Sequence, residues 1–160
     1  RTVLTGYLET ARPDGQVNIV NSPSVAHDMG LELVDSVINA KTEYSELIVV
    51  ELRKDGKKFR VAGTIIGQTP RIVEIDRLFV DTNIKGHFLI VRNDDRPGIV
   101  GLVGTALGDA GLNIAILSLA RNQSLGVALN VIELDSAPDA EFIAKMAAQP
   151  GVLSVTAIEI

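Results

Sequence analysis

The sequence predicts two α+β domains in tandem. Residues 1–85 read as helices on an antiparallel sheet, and residues 86–160 as a β-α-β-β-α-β unit. Three observations carry this. Charge thins abruptly: residues 1–85 hold 11 basic and 12 acidic side chains, residues 86–160 only 4 and 8. Asp55-Gly56 stands between two strand-like runs, a strong short hairpin signal. Ile99, Val103, Ala106, Leu107 and Ala110 recur at helical spacing between two strand-like runs.

In the first half, residues 2–11 read as a helix and residues 17–20 as a strand. Ser22 is the expected N-cap of a short helix over residues 23–29, with Pro23 in its first turn and Gly30 as its stop. Residues 31–38 read as a strand. Residues 47–54 and 57–66 form the hairpin arms, and residues 71–80 alternate as one further strand. The cluster at residues 81–86 marks the domain boundary.

In the second half, residues 88–92 are a strand. Asn93-Asp94-Asp95-Arg96-Pro97-Gly98 is a loop leading into a helix that Gly111 ends. Residues 113–121 and 126–135 are strands joined by a turn at 122–124. Residues 139–149 form a second helix, broken by Pro150-Gly151, and residues 152–160 the last strand. This order is the ferredoxin-like split βαβ plan. Right-handed crossovers place both helices on one face of a four-stranded sheet. The other face and one edge are then expected to be free for a partner.

Composition narrows the function. The chain has 160 residues, 46% hydrophobic and 22% charged, which suits a packed core. With no Cys there is no disulfide, thiolate metal site or thiol nucleophile. His27 and His87 lack the spacing of a triad or a metal site, so no catalytic residue and no metal ligand is assigned. A net charge of −5 argues against nucleic acid, and no 18-residue apolar run argues for a membrane span. Neither a dinucleotide fingerprint nor a P-loop is present. The expected location is cytoplasmic. The chain opens on Arg1, already in a helical run, and is expected to be a piece of a longer protein.

The loop at residues 93–98 is the sharpest feature. A helix N-terminus leaves N–H groups unpaired and carries partial positive charge, so it can hold a carboxylate. Asn93 and Asp95 stand just before it and can accept from an ammonium or hydroxyl group. Together they suit a small zwitterion, an amino acid. Asn113 can supply an amide from a neighbouring subunit. The structural reading is equally open at this point: Asp95 caps the helix, and Asn113 completes a turn. Gly101 and Gly104, each costing a helix about 1 kcal/mol relative to Ala, suggest close packing on the sheet or on a twin. Arg71 and Arg77, with Lys57, Lys58 and Arg60 nearby, suggest either an anion site or a solvated face balanced by Glu51, Glu74 and Asp76.

Residues 88–160 resemble the ACT domain, an amino-acid-sensing module. The loop Asn93-Asp94-Asp95-Arg96-Pro97-Gly98-Ile99-Val100 and the run Gly111-Leu112-Asn113-Ile114 match its signature. Upstream, residues 17–23, 62–67 and 70–76 resemble the intervening, or allosteric substrate-binding, domain of the D-3-phosphoglycerate dehydrogenase family. The two stretches stand in that family's order and cover nearly the whole chain, although the first strand of the intervening domain is expected to be truncated.

The resemblance implies a regulatory fragment without activity of its own. Its NAD-dependent catalytic domains would lie elsewhere in the same chain, so no cofactor belongs to this part. In the family, L-serine binds between ACT domains paired side by side, in dimers or tetramers. Carried over by position, Asn93 and Asp95 hold the ligand's amino and hydroxyl groups. Backbone N–H groups of Gly98, Ile99 and Val100 take its carboxylate, and Asn113 reaches in from the partner. At the position of Asn93 some members have His or Tyr. Arg71 matches a basic position of the intervening domain's anion site. This chain departs at Leu78 and Asn83, with Arg77 one place early. Two other readings are a non-catalytic subunit of an L-serine dehydratase and a pure oligomerisation module.

Overall fold

The computed structural model describes residues 2–12, 15–37 and 43–160. The chain forms two compact units, Arg1–Lys41 and Thr42–Ile160. The charge boundary at residue 85 therefore falls inside the second unit, between its two sheets.

The first unit holds α1 (Thr2–Ala11) and α2 (Ser22–Asp28), which pack on each other through Thr5, Leu8, Ser22 and Ala26. The strand expected at residues 17–20 does not form. Asn18 Oδ1 accepts from the N–H groups of Val20 and Asn21, while Asn21 Oδ1 accepts from Asn18 N–H at 2.7 Å. These local bonds turn the backbone directly into α2, the usual competition of Asn side chains with a ladder. They also move the N-cap one residue back, from Ser22 to Asn21. Gly30 stops the helix at φ +72°. Residues 31–37 form no strand, and Ile38 lies outside the described residues.

The second unit opens on a four-stranded antiparallel meander: β1 (Ile48–Lys54), β2 (Lys57–Ile66), β3 (Thr69–Ile75) and β4 (Leu78–Thr82). Asp55 and Gly56 turn at φ 50° and 74°, closing the hairpin as expected. The single strand expected over residues 71–80 is instead split by a second tight turn. There Asp76 and Arg77 take φ 47° and 65°. Asp76 Oδ1 accepts from Arg60 N–H at 2.8 Å, and its other oxygen pairs with Arg92. Asp tolerates the left-handed region when its side chain is tied down in this way.

β5 (His87–Asp94), α3 (Ile99–Asp109), β6 (Ile114–Asn122), β7 (Val127–Leu134), α4 (Ala140–Ala147) and β8 (Val152–Glu159) follow in the expected order. The strands form an antiparallel sheet ordered β6-β7-β5-β8. Asp139 caps α4, accepting from Phe142 N–H at 2.7 Å. Both helices cover one face, where Leu89, Val91, Ile132 and Leu134 meet Val103, Leu107, Phe142 and Met146. Truncating such a fully buried leucine costs about 2–5 kcal/mol.

The opposite face is not left free. Leu78 and Val80 of β4 pack on Phe88, Ala120, Leu129 and Val131. Polar contacts fasten this cover: Asp81 N–H donates to Ser118 Oγ, and Asn83 to Glu133. Period-two alternation in β4 (Leu78, Val80 and Thr82 buried) supplies the apolar side. What remains open are the sheet edges β6 and β8. Beyond its own stretch of helix, a Cβ at Gly101, Gly104 or Gly108 would meet nothing among the described residues within 4 Å, so these glycines do not serve close packing of α3 on its own sheet.

Candidate functional site

β5 delivers Asn93 to the end of the central strand. Odd-numbered residues of β5 face the helices, so Asn93 follows Leu89 and Val91 into the helix-side layer. It is only 2% exposed. Its Oδ1 accepts from Asn130 Nδ2 at 2.7 Å, and its own Nδ2 donates to the Asp94 carbonyl at 2.7 Å. Asn130 is fully buried, and its Oδ1 has no partner among the described residues.

The chain then leaves the strand. Asp94 N–H donates to Gly151 O, and Asp95 N–H donates to Gly126 O, which pins the loop to the sheet end. Gly98, at φ 94°, is the N-cap of α3, a left-handed position that suits glycine. No side chain among the described residues caps this helix. The first ladder bond runs from Leu102 N–H to Gly98 O, leaving the N–H groups of the first turn for another acceptor. Asp95 therefore does not cap the helix. It accepts from Arg121 Nε at 2.8 and 3.0 Å. That bond, then the attraction of the carboxylate, raises Arg121 above the usual arginine value.

A cavity of about 290 Å³ opens at this point. Asn93, Asp95, Gly98, Ile99, Val100 and Arg121 line it, with Arg96, Pro97, Leu119 and Ala128. It joins a carboxylate, a buried amide, a guanidinium and a bare helix N-terminus within one small space. Such a set suits a zwitterion carrying one ammonium and one carboxylate. A larger depression, about 660 Å³, lies in the first unit, where Glu9 is the one charged lining residue among the described residues.

The remaining expected residues lie elsewhere. Asn113 precedes β6 and bonds Asp135 at 2.6 Å, whereas Arg121 lies near the other end of that strand. Eight residues of strand span roughly 26 Å, so Asn113 does not reach the cavity of its own chain. Arg71 and Arg77 are not brought together. Arg71 holds Asp81 and Asn83, and Arg77 sits exposed in the β3–β4 turn. Arg121 and Asn130 were not legible as site residues. A polar Asn130 inside the apolar run of β7 was the available signal.

The family of D-3-phosphoglycerate dehydrogenase intervening domains matches residues 1–76. D-3-phosphoglycerate dehydrogenases also match along the whole chain. That of Methanocaldococcus jannaschii is 32% identical over 160 residues, that of Archaeoglobus fulgidus 30% over 162, and that of Bacillus subtilis 29% over 161. The chain matches the C-terminal regulatory region of D-3-phosphoglycerate dehydrogenases. It spans 30% of the M. jannaschii and B. subtilis relatives and 31% of the A. fulgidus relative. Within that region, residues 1–76 correspond to the intervening domain, and the ferredoxin-like sheet with the cavity follows it. No helix among the described residues is long and apolar enough to cross a membrane.

Proposed function

We propose that this chain is the regulatory part of an NAD-dependent D-3-phosphoglycerate dehydrogenase and binds L-serine where two copies meet. The observation that carries the proposal is the cavity beside Asn93. It offers Asp95 for an ammonium group, Asn93 for a hydroxyl group and the first turn of α3 for a carboxylate.

The seam follows from the edge strand. β6 is a free edge whose helix-side residues Leu117 and Leu119 are 37% and 43% exposed, beside Val100 at 42%. A second copy adding its β6 antiparallel extends the sheet and covers that apolar surface. Two-fold pairing sets the start of one β6 beside the end of the other. Asn113 of the second copy then reaches the cavity that its own chain cannot supply. Ligand and pairing are thereby coupled: serine stabilises the closed pair, and the closed pair restrains the catalytic domains. Such coupling is feedback control at the start of serine synthesis.

Calorimetry with L-serine, glycine and L-alanine, alongside light scattering, tests this. L-Serine binds best and shifts the chain toward paired copies. Asn113→Ala lowers its affinity about ten-fold or more, the worth of a hydrogen bond to a charged ligand. Equal weak heats for all three amino acids would overturn the serine assignment. A stable dimer without any heat would make the chain an assembly module.

A further inference from the structure

Arg121 is the cavity residue with the clearest unspent capacity. Its Nε is committed to both oxygens of Asp95, at 2.8 and 3.0 Å. Its two terminal NH₂ groups have no partner among the described residues. A guanidinium presents its donors in one plane, so fixing Nε fixes where the other donors point. The side chain stands on β6, paired with Ala128 of β7, and both line the cavity. Arg96, the other cation there, donates to the Pro150 carbonyl at 2.7 Å and is turned toward β8.

We infer that Arg121 is a ligand-binding residue that clamps the carboxylate of the bound amino acid against the first turn of α3, with Asp95 as the group that orients it. This rests on the amino-acid reading above and adds a charged partner to the carboxylate that helix N–H groups alone would otherwise hold. A carboxylate offers about four acceptor sites. Asp95 can therefore keep Arg121 and still accept the ligand's ammonium. The ligand then closes an alternating chain of charges: Asp95, ammonium, carboxylate, Arg121. A neutral amide in place of the carboxylate breaks that chain. The site thus selects for a free α-carboxylate, and Arg121 makes the selection.

The test compares L-serine with L-serinamide, whose carboxylate is replaced by a neutral amide. Affinities are measured by calorimetry on the 160-residue chain and on its Arg121→Gln and Arg121→Lys variants. Circular dichroism confirms that each variant is folded. The wild type prefers serine to serinamide at least ten-fold. Arg121→Gln loses that preference by weakening serine alone, and Arg121→Lys restores part of it. An unchanged ratio in Arg121→Gln, or equal weakening of both ligands, overturns the role of Arg121 and leaves serine binding standing. Wild-type protein that binds neither compound overturns both readings.

Discussion

Asn130 donates its side-chain amide to Oδ1 of Asn93 across 2.7 Å, and both residues are buried in the helix-side layer. This bond fixes which way the Asn93 amide faces. It also leaves Asn130 Oδ1 without a partner among the described residues, a state that costs about 1–3 kcal/mol. Replacing Asn130 by Leu removes that orphan but strips Asn93 of its donor. We expect a loss of about 1–3 kcal/mol in urea unfolding. The double variant Asn93→Leu/Asn130→Leu should lose less than the sum of the single variants, because both ends of one bond go together.

The glycines of α3 carry a second prediction. A methyl group at Gly104 would meet no atom of the described residues within 4 Å beyond its own stretch of helix. Within one copy, Gly104→Ala therefore adds helix propensity and nothing else, raising stability by about 0.5–1 kcal/mol. If a second copy packs on this helix, Gly104→Leu obstructs it. The expected result is a stable chain that light scattering finds shifted toward monomer. A pairing unchanged by Leu would remove α3 from the seam.

The β3–β4 turn gives a third. Asp76 at φ 47° is held by Arg60 and Arg92, while Arg77 at φ 65° is exposed and takes no part in those two bonds. Asp76→Ala should cost about 1–3 kcal/mol, from the lost charge-assisted bonds and the unfavourable φ. Arg77→Gly should instead stabilise, by up to about 1 kcal/mol, since glycine meets no steric penalty there. Thermal unfolding of the two variants should thus move in opposite directions.

That turn also shows what the sequence made legible and what it did not. The ferredoxin-like half was readable because its signals agree: the 3.6-residue period of α3, Gly111 after it, and Pro150-Gly151 after the second helix. Asp55-Gly56 was readable because glycine announces its turn. Asp76-Arg77 takes the same backbone shape without glycine, through contacts to Arg60 and to Arg92, and Arg92 is sixteen residues away in sequence. Asn18 and Asn21 likewise act through side-chain bonds that no alternation reveals. The site divides in the same way. Asn93, Asp95 and Gly98 are near neighbours in sequence and were found together. Arg121 and Asn130 join them only through the pairing of β6 and β7 with each other and of β7 with β5.

Gly151 supplies the last prediction, and it bears on the loop itself. Its φ is 87°, and a Cβ there would stand 2.5 Å from Arg96 Nη2. Arg96 is flexible at that end, so the guanidinium can move, but it then leaves the Pro150 carbonyl. The left-handed backbone adds roughly 1–2 kcal/mol for any side chain. Gly151 O also accepts from Asp94 N–H at 2.8 Å, so strain at 151 passes to the end of β5, next to Asp95. Gly151→Ala should therefore lower stability by about 1–3 kcal/mol and weaken L-serine binding as well. Arg96→Ala removes the clash partner while keeping Gly151. The double variant should recover part of the stability lost to Gly151→Ala, leaving the backbone cost. No recovery in the double variant would show that the φ penalty alone sets the effect.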